Sequence, residues 1–355
     1  LEQSGPVRDV LPLAPLQEWL LFHALYDDQA PDVYAVQEVF RVDGPLDAAA
    51  LREAVAGLLR RHDNLRAAFR YEGLPQAVQV VPDEVELPWQ EVDLSDVDDQ
   101  LAEVERLTAA DRARRFDLTR PPLLRFTLLR LSADEHRLVV TNHHILFDGW
   151  SMQTLLDELF AIYRSAGAEL GRVTPYRDYL AWLSRQDRTA STAAWREALA
   201  GAEPTLLGAG GSAGGTPEQV LLDLPADLAE RLQQWVRGRG LTLNTVVQGA
   251  FGLLLARNLD REDVVFGSTV AGRPSDLPGV ESMIGMFINT VPVRVRLRAG
   301  EALGELLTRI QAEQSRLLDH HHLGLNEVQQ LVGAGELFDT LTVIENYPHE
   351  PGQTW

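Results

Sequence analysis

The segment Asn142-His143-His144-Ile145-Leu146-Phe147-Asp148-Gly149-Trp150-Ser151 concentrates groups that could do chemistry in this 355-residue chain. A strand pattern ends in two histidines, a short loop carries an aspartate and a glycine, and a helical pattern follows. Successive side chains on a strand point to opposite faces. His143 and His144 therefore cannot play the same part. One can face a cavity while the other packs inward and holds the turn. A neutral imidazole placed this way can act as a general base near neutral pH. The competing structural reading is a pair of satisfied core histidines. Asp148 can accept amide or guanidinium hydrogen bonds and fix the loop, and Gly149 offers backbone freedom there. Adjacent histidines give poor joint ligand geometry and no third ligand is spaced nearby, so no metal is expected.

Other candidates carry less. Gly210-Gly211-Ser212-Ala213-Gly214 fits the GxSxG pattern of a hydrolase, but that elbow needs a strand before it and a helix after it. Here the flanks are more glycine and alanine, which read as a connector; nor does a helix follow that would make Ser212 a phosphopantetheine attachment site. His320-His321-His322 are consecutive at a helix end, where three side chains rarely converge on one ion. Asp93, Asp96, Asp98 and Asp99 read as a solvated loop. Cysteine is absent, which removes disulfides, thiolate zinc sites and cysteine nucleophiles, and fits a cytoplasmic location. All 32 basic residues are arginine, and the net charge of −20 disfavours a nucleic-acid partner. The opening residues lack a signal-peptide pattern and no apolar run is long enough to span a membrane, so no membrane association is expected.

Around these residues the chain alternates between strand and helix patterns. Val33–Val42, Leu123–Leu131 and Leu138–Asn142 read as strands, and Asp47–Leu65 and Ser151–Ser165 as helices. A similar series follows: Val220–Leu224 as a strand, Asp227–Arg237 and Thr242–Arg257 as helices with Thr242 or Asn244 as a cap, Val264–Val270 and Thr290–Leu297 as strands, Leu303–Leu318 as a helix, and Leu341–Asn346 as a late strand. This mixture predicts an α/β fold with helices on sheets, in two related lobes.

His143-His144-x-x-x-Asp148-Gly149 resembles the HHxxxDG signature of the condensation-domain superfamily of nonribosomal peptide synthetases, which is similar to chloramphenicol acetyltransferase. Further motifs stand in family order. Leu13 to His23 resembles the first, Arg61 to Phe69 the second, Tyr176 to Trp182 the fourth and Ile284 to Thr290 the fifth. His321 to Leu325, Leu337 to Thr340 and Glu345-Asn346-Tyr347-Pro348 resemble the closing ones. The resemblance runs from about Val7 to Pro348. It implies two chloramphenicol acetyltransferase-like sandwich lobes, residues 7–175 and 176–355, arranged as a V around a central tunnel, with the second lobe continuing beyond the last segment present.

The implied activity is amide bond formation between a donor acyl or peptidyl thioester and an acceptor aminoacyl thioester. Both would arrive on 4′-phosphopantetheine arms of upstream and downstream peptidyl carrier proteins, with an adenylation domain adjacent and no intrinsic cofactor. His144 would be catalytic, as general base or as a group that orients the amine and stabilises the tetrahedral state. His143, Asp148, Gly149 and Arg66 would support it, Asp148 pairing with Arg66. Ser151 would cap the following helix, and Trp19, Trp150, Ser151 and Asn289 would line the substrate tunnel, Asn289 reading equally as a turn asparagine that satisfies backbone groups. Arg273 is expected in a surface or inter-lobe contact. The wording of the first motif and of His321 to Leu325 resembles domains that take a D-configured donor, although Trp19 stands where that group carries a small residue. A dual epimerizing domain, an inactive carrier-recruiting domain and a free-standing acyltransferase are the alternatives.

Overall fold

The computed structural model describes residues 6–26, 32–165, 170–208, 219–333 and 335–345. They divide into two compact units. The first comprises the described residues within 1–185 and 273–288, and the second those within 186–272 and 289–345. The division falls later than the expected 175/176 boundary, and a stretch deep in the second half of the sequence returns to the first unit.

The first unit contains β1 (Val7–Pro12), α1 (Pro15–Tyr26), β2 (Ala35–Asp43), α2 (Ala48–Arg61), β3 (Ala68–Arg70), β4 (Val78–Pro82), β5 (Trp89–Asp93), α3 (Gln100–Ala113), β6 (Leu124–Arg130), β7 (Glu135–His143), α4 (Gly149–Ser165) and α5 (Tyr176–Ser184). One sheet has the order β2-β7-β6-β5 and a smaller one β1-β4-β3. β7 is central and antiparallel to both neighbours, with His143 opposite Ala35 at the start of β2. Leu138 and Val140 face the large core with Leu51, Val55, Leu58, Leu155 and Leu159 from α2 and α4. Val139, one residue out of step, packs with Leu94, Leu129 and Leu131 on the other face. Two-sided cover leaves the strand apolar on both faces. The helix expected over Asp47–Leu65 ends at Arg61, and a 3-10 turn follows over Asp63–Arg66. Asp99, one of the expected loop aspartates, caps α3 by accepting the Ala102 amide.

The second unit contains α6 (Arg188–Ala198), α7 (Ala226–Arg237), α8 (Leu243–Leu259), β8 (Asp263–Val270), β9 (Asn289–Arg296), α9 (Leu303–Leu317), α10 (Leu325–Val332) and β10 (Leu341–Thr342). Its sheet has the order β10-β8-β9, and α7, α8 and α9 bury Val236, Leu255, Leu306, Leu307 and Ile310 against Val264, Phe266, Val293 and Val295. Thr242 caps α8. On the other side Trp195, fully buried, donates its indole N–H to the His320 carbonyl. Val220–Leu224 is not a strand: the run has strand residue types but no ladder partner among the described residues, and Leu222 is 89% exposed. The late strand is confined to Leu341–Thr342, while Asn346 and the glycine-rich tract 209–215 lie outside the described residues.

Two glycines of this unit predict opposite outcomes. A Cβ on Gly252, in α8, would stand 2.7–2.9 Å from three side-chain atoms of Val295. Gly252→Ala is expected to cost about 1–3 kcal/mol through overpacking. Gly304, in the first turn of α9, meets nothing within 4 Å, so Gly304→Ala is expected to stabilise by about 0.4–1 kcal/mol. Urea unfolding of the two variants checks both signs.

Candidate active site

The end of β7 sets two imidazoles in opposite roles. The His143 ring is fully buried, and its Nδ1 accepts the Ile145 amide at 3.1 Å. An N–H donates there, so Nδ1 carries a lone pair and the ring proton of neutral His143 sits on Nε2. Burial, against a smaller opposing pull from Asp32, pushes this histidine down to about 4, so it is neutral near pH 7. The His144 ring is half-buried, and its Nδ1 lies 3.2 Å from the Phe147 carbonyl. A carbonyl only accepts, so here Nδ1 carries a proton, and in the neutral ring Nε2 keeps the lone pair. His144 is therefore oriented by the loop that follows it, with its basic nitrogen on the far edge of the ring. This is the local geometry a general base needs.

Asp148 closes that loop and is itself fully buried. Its Oδ1 accepts the Ser151 amide at 2.9 Å and lies 2.8 Å from the Ser151 hydroxyl, while the Met152 amide binds its carbonyl. Asp148 thus caps α4, and Ser151, expected in that role, is the residue being capped. Gly149 opens the helix in helical conformation, and the left-handed glycines lie elsewhere.

The same carboxylate captures the returning segment. Its Oδ2 accepts the Phe287 amide at 3.1 Å, and the Asp148 amide donates to the Gly285 carbonyl at 3.1 Å. The Ser151 hydroxyl accepts the Gly285 amide at 3.1 Å. Arg273 supplies the countercharge: it donates to Asp148 at 3.3 Å, to Ser151 at 2.9 Å, and to the carbonyls of Val280 and Met283. Its guanidinium also lies 3.9 Å from the centre of the Phe287 ring.

Two expectations are corrected here. Arg66 does not pair with Asp148: it binds Asp63 and the carbonyls of Leu59 and Pro82, tying the 3-10 turn to α2 and β4. Arg273, expected in a surface or inter-lobe contact, is 5% exposed and is the partner of Asp148 within the first unit.

The motifs separated in sequence converge on this loop. Gln17, from α1 and 1% exposed, donates to the Ile145 carbonyl at 2.8 Å and accepts the Ala14 amide. Tyr176, from α5, donates to the Met286 carbonyl, and a Cβ on Gly285 would stand 2.2 Å from its ring. That close approach requires glycine at 285. Arg61 and His62 both bind Glu158 of α4, so the second motif locks α2 to the helix that Asp148 caps.

The residues expected to line a substrate passage behave differently. Trp19 is half-buried on α1, its ring 4.0 Å from that of His23 and edge-on to Tyr34. Trp150 is half-buried and donates its indole N–H to the Glu281 carbonyl. Ser151 is fully buried in the Asp148 network, so its hydroxyl has no face to offer a substrate. Asn289, in the second unit, is 4% exposed and donates its amide to the carbonyls of His321 and Leu323. It braces the turn that carries those carbonyls. Of the consecutive histidines, His320 and His322 both approach the Ser191 hydroxyl, and no group of three metal-ligating side chains occurs among the described residues.

Sequence reasoning missed Arg273 as the countercharge and Gln17 as a brace. Gln17 stood inside a recognised motif. Nothing in the local pattern around Ala271-Gly272-Arg273-Pro274 indicates a partner 125 residues earlier.

Asp148→Ala strands a buried guanidinium and removes a helix cap. It and Arg273→Ala are each expected to cost about 3–5 kcal/mol, with the double variant far less than additive. Arg66→Ala combined with Asp148→Ala should instead add. Chemical denaturation of the single and double variants measures both couplings. The pH dependence follows from His143. Its folded pKa lies below the unfolded value near 6.5, so unfolding takes up a proton between those values. Stability is therefore present above pH ~6.5 and falls as pH drops toward 4. Unfolding free energies at pH 7, 6 and 5 should decline in that order.

The sequence profile of the condensation-domain family matches residues 7–354. The chain is 42% identical over 98% of its length to a linear gramicidin synthase of Brevibacillus parabrevis, and 34% identical over 96% to bacitracin synthase 3 of Bacillus licheniformis. It spans only 5% and 6% of those two proteins. Among solved structures, the first condensation domain of the calcium-dependent antibiotic synthetase, in complex with a substrate analogue, matches at TM-score 0.74 and 23% identity. That match covers 96% of this chain and 82% of the other. The X-domain from teicoplanin biosynthesis, in complex with OxyB, matches at TM-score 0.77 and 28% identity, covering 93% and 75%. One α/β fold thus holds a substrate analogue in one case and a protein partner in another. With the HHxxxDG loop built in this way and the profile matched along almost the whole length, the chain belongs to the condensation-domain family of nonribosomal peptide synthetases.

Proposed function

We propose that this domain joins a donor acyl or peptidyl thioester to the amine of an acceptor aminoacyl thioester. Each is carried on the phosphopantetheine arm of a peptidyl carrier protein, upstream and downstream, in a synthetase that also holds an adenylation domain. The acceptor nitrogen forms the new C–N bond, the donor C–S bond breaks, and the proton lost from nitrogen balances the departing thiolate as a thiol. The observation that carries the reading is the His144 tautomer: Nδ1–H is committed to Phe147, and Nε2 keeps a lone pair for the amine proton. Holding both thioesters in place supplies several kcal/mol of the acceleration, and a positioned base contributes a further ~10²–10⁴-fold. The reading includes a D-configured donor, on the wording of the first motif and of His321 to Leu325, and a cytoplasmic location. No helix among the described residues is long and apolar enough to cross a membrane.

Protein recruitment without turnover is the second reading, favoured by the likeness to the partner-bound X-domain. His144→Ala separates the two. With D- and L-loaded donor carriers and a loaded acceptor carrier, intact-mass spectrometry should show amide product on the acceptor for the parent, the D-donor preferred. Product should fall by about 10²-fold or more in the variant, with unchanged circular dichroism and melting. Equal product from parent and variant overturns the catalytic role of His144, and none from either favours recruitment.

A further inference from the structure

We propose that Asp32 is a positioning residue for His144: its buried carboxylate fixes the start of β2, from which the His144 backbone hangs, and faces the ring N–H of His143. The inference rests on the proposed role of His144 and adds a residue that stands outside every motif of the family pattern.

The Asp32 side chain is 5% exposed. Its Oδ1 accepts the Tyr34 amide at 3.1 Å and its carbonyl accepts the Ala35 amide at 3.2 Å, a turn that starts β2. Tyr34 then offers its carbonyl to the His144 amide at 2.8 Å, and Ala35 stands opposite His143 in the ladder. Asp32 is therefore two bonded steps from the backbone of the proposed base, by a route independent of Asp148.

The same carboxylate lies 3.6 Å from His143 Nε2, the nitrogen that carries the ring proton. That proton has no hydrogen-bond partner among the described residues, and the flanking rings of Tyr34 and Phe116 offer apolar walls. At 3.6 Å the contact is electrostatic and just beyond hydrogen-bond range. It favours Nε2–H over the alternative tautomer, in which the carboxylate would face a lone pair. Arg115 and His144 are the other charged or titratable groups acting on His143, and with burial they keep the ring neutral despite the carboxylate. A neutral His143 keeps Nδ1 free to accept the Ile145 amide, which shapes the loop leading to Phe147 and Asp148.

The test compares Asp32→Asn, which keeps an acceptor, with Asp32→Leu, which removes it. Condensation turnover is read alongside ¹⁵N spectra of histidine-labelled protein. Asp32→Leu should lower kcat about tenfold or more, since a 1 Å misplacement of a reacting group can cost ~10²-fold, with KM for the loaded carriers within about twofold. Asp32→Asn should restore kcat to within about threefold of the parent. In the parent spectrum His143 should carry its proton on Nε2, with the resonance displaced in Asp32→Asn. Parent-like kcat in Asp32→Leu, equal losses in both variants, or a His143 spectrum unmoved by Asp32→Asn would each overturn the proposal. If Asp32→Leu does not fold, the spectrum and rate of Asp32→Asn decide. A parent without condensation activity would sink the proposed function while leaving the spectra to judge Asp32.

Discussion

A carboxylate cannot be buried bare. Asp148 is fully enclosed, and an isolated charge there would cost far more than the net stability of a domain. The chain meets that cost by bringing donors to it: the Ser151 amide and hydroxyl, the Phe287 amide and the Arg273 guanidinium. These come from two places far apart in sequence. Satisfying one charge therefore fixes the start of α4, the loop that carries His144, and the return of residues 273–288 to the first unit. Much of what is specific about this site follows from that one requirement.

The paired histidines show how a strand end can build two chemistries from one residue type. Side-chain alternation sends the rings to different surroundings, and the loop gives each a different partner. His143 accepts an amide and keeps its proton on Nε2, while His144 donates to a carbonyl and keeps a lone pair there. Both orienting groups lie within three residues of the histidine they orient. The loop thus sets each tautomer, and the Asp32 carboxylate 3.6 Å from His143 Nε2 favours the same one for His143.

Much of this was legible in the sequence. The strand ending at His143, the helix after it, and the division of labour between the histidines follow from alternation and periodicity. The convergence of separated motifs was implied by resemblance. What was not legible was pairing across distance. Asp148 was assigned to Arg66 because both stand in motifs, yet Arg66 is consumed by Asp63 in its own turn and by the carbonyls of Leu59 in α2 and Pro82 in β4. Asn289 read equally as a tunnel-side positioning residue and as a turn asparagine, and its amide bridges two carbonyls of the turn after α9. Val220–Leu224 failed for a different reason: strand propensity says what fits a sheet, and only a partner makes one. In each case the local pattern was sound, and competition among partners in three dimensions decided the outcome.

The central claim is that one buried carboxylate holds the His144 loop and the returning segment as a single unit. Hydrogen exchange at the Ser151, Gly285 and Phe287 amides tests it most directly, because each is bonded to Asp148 or to the Ser151 hydroxyl beside it. The three should exchange slowly with one shared opening free energy, and Arg273→Met should lower that energy equally at all three. Exchange at Gly285 and Phe287 much faster than at Ser151, or an Arg273→Met variant that changes none of them, would contradict the account.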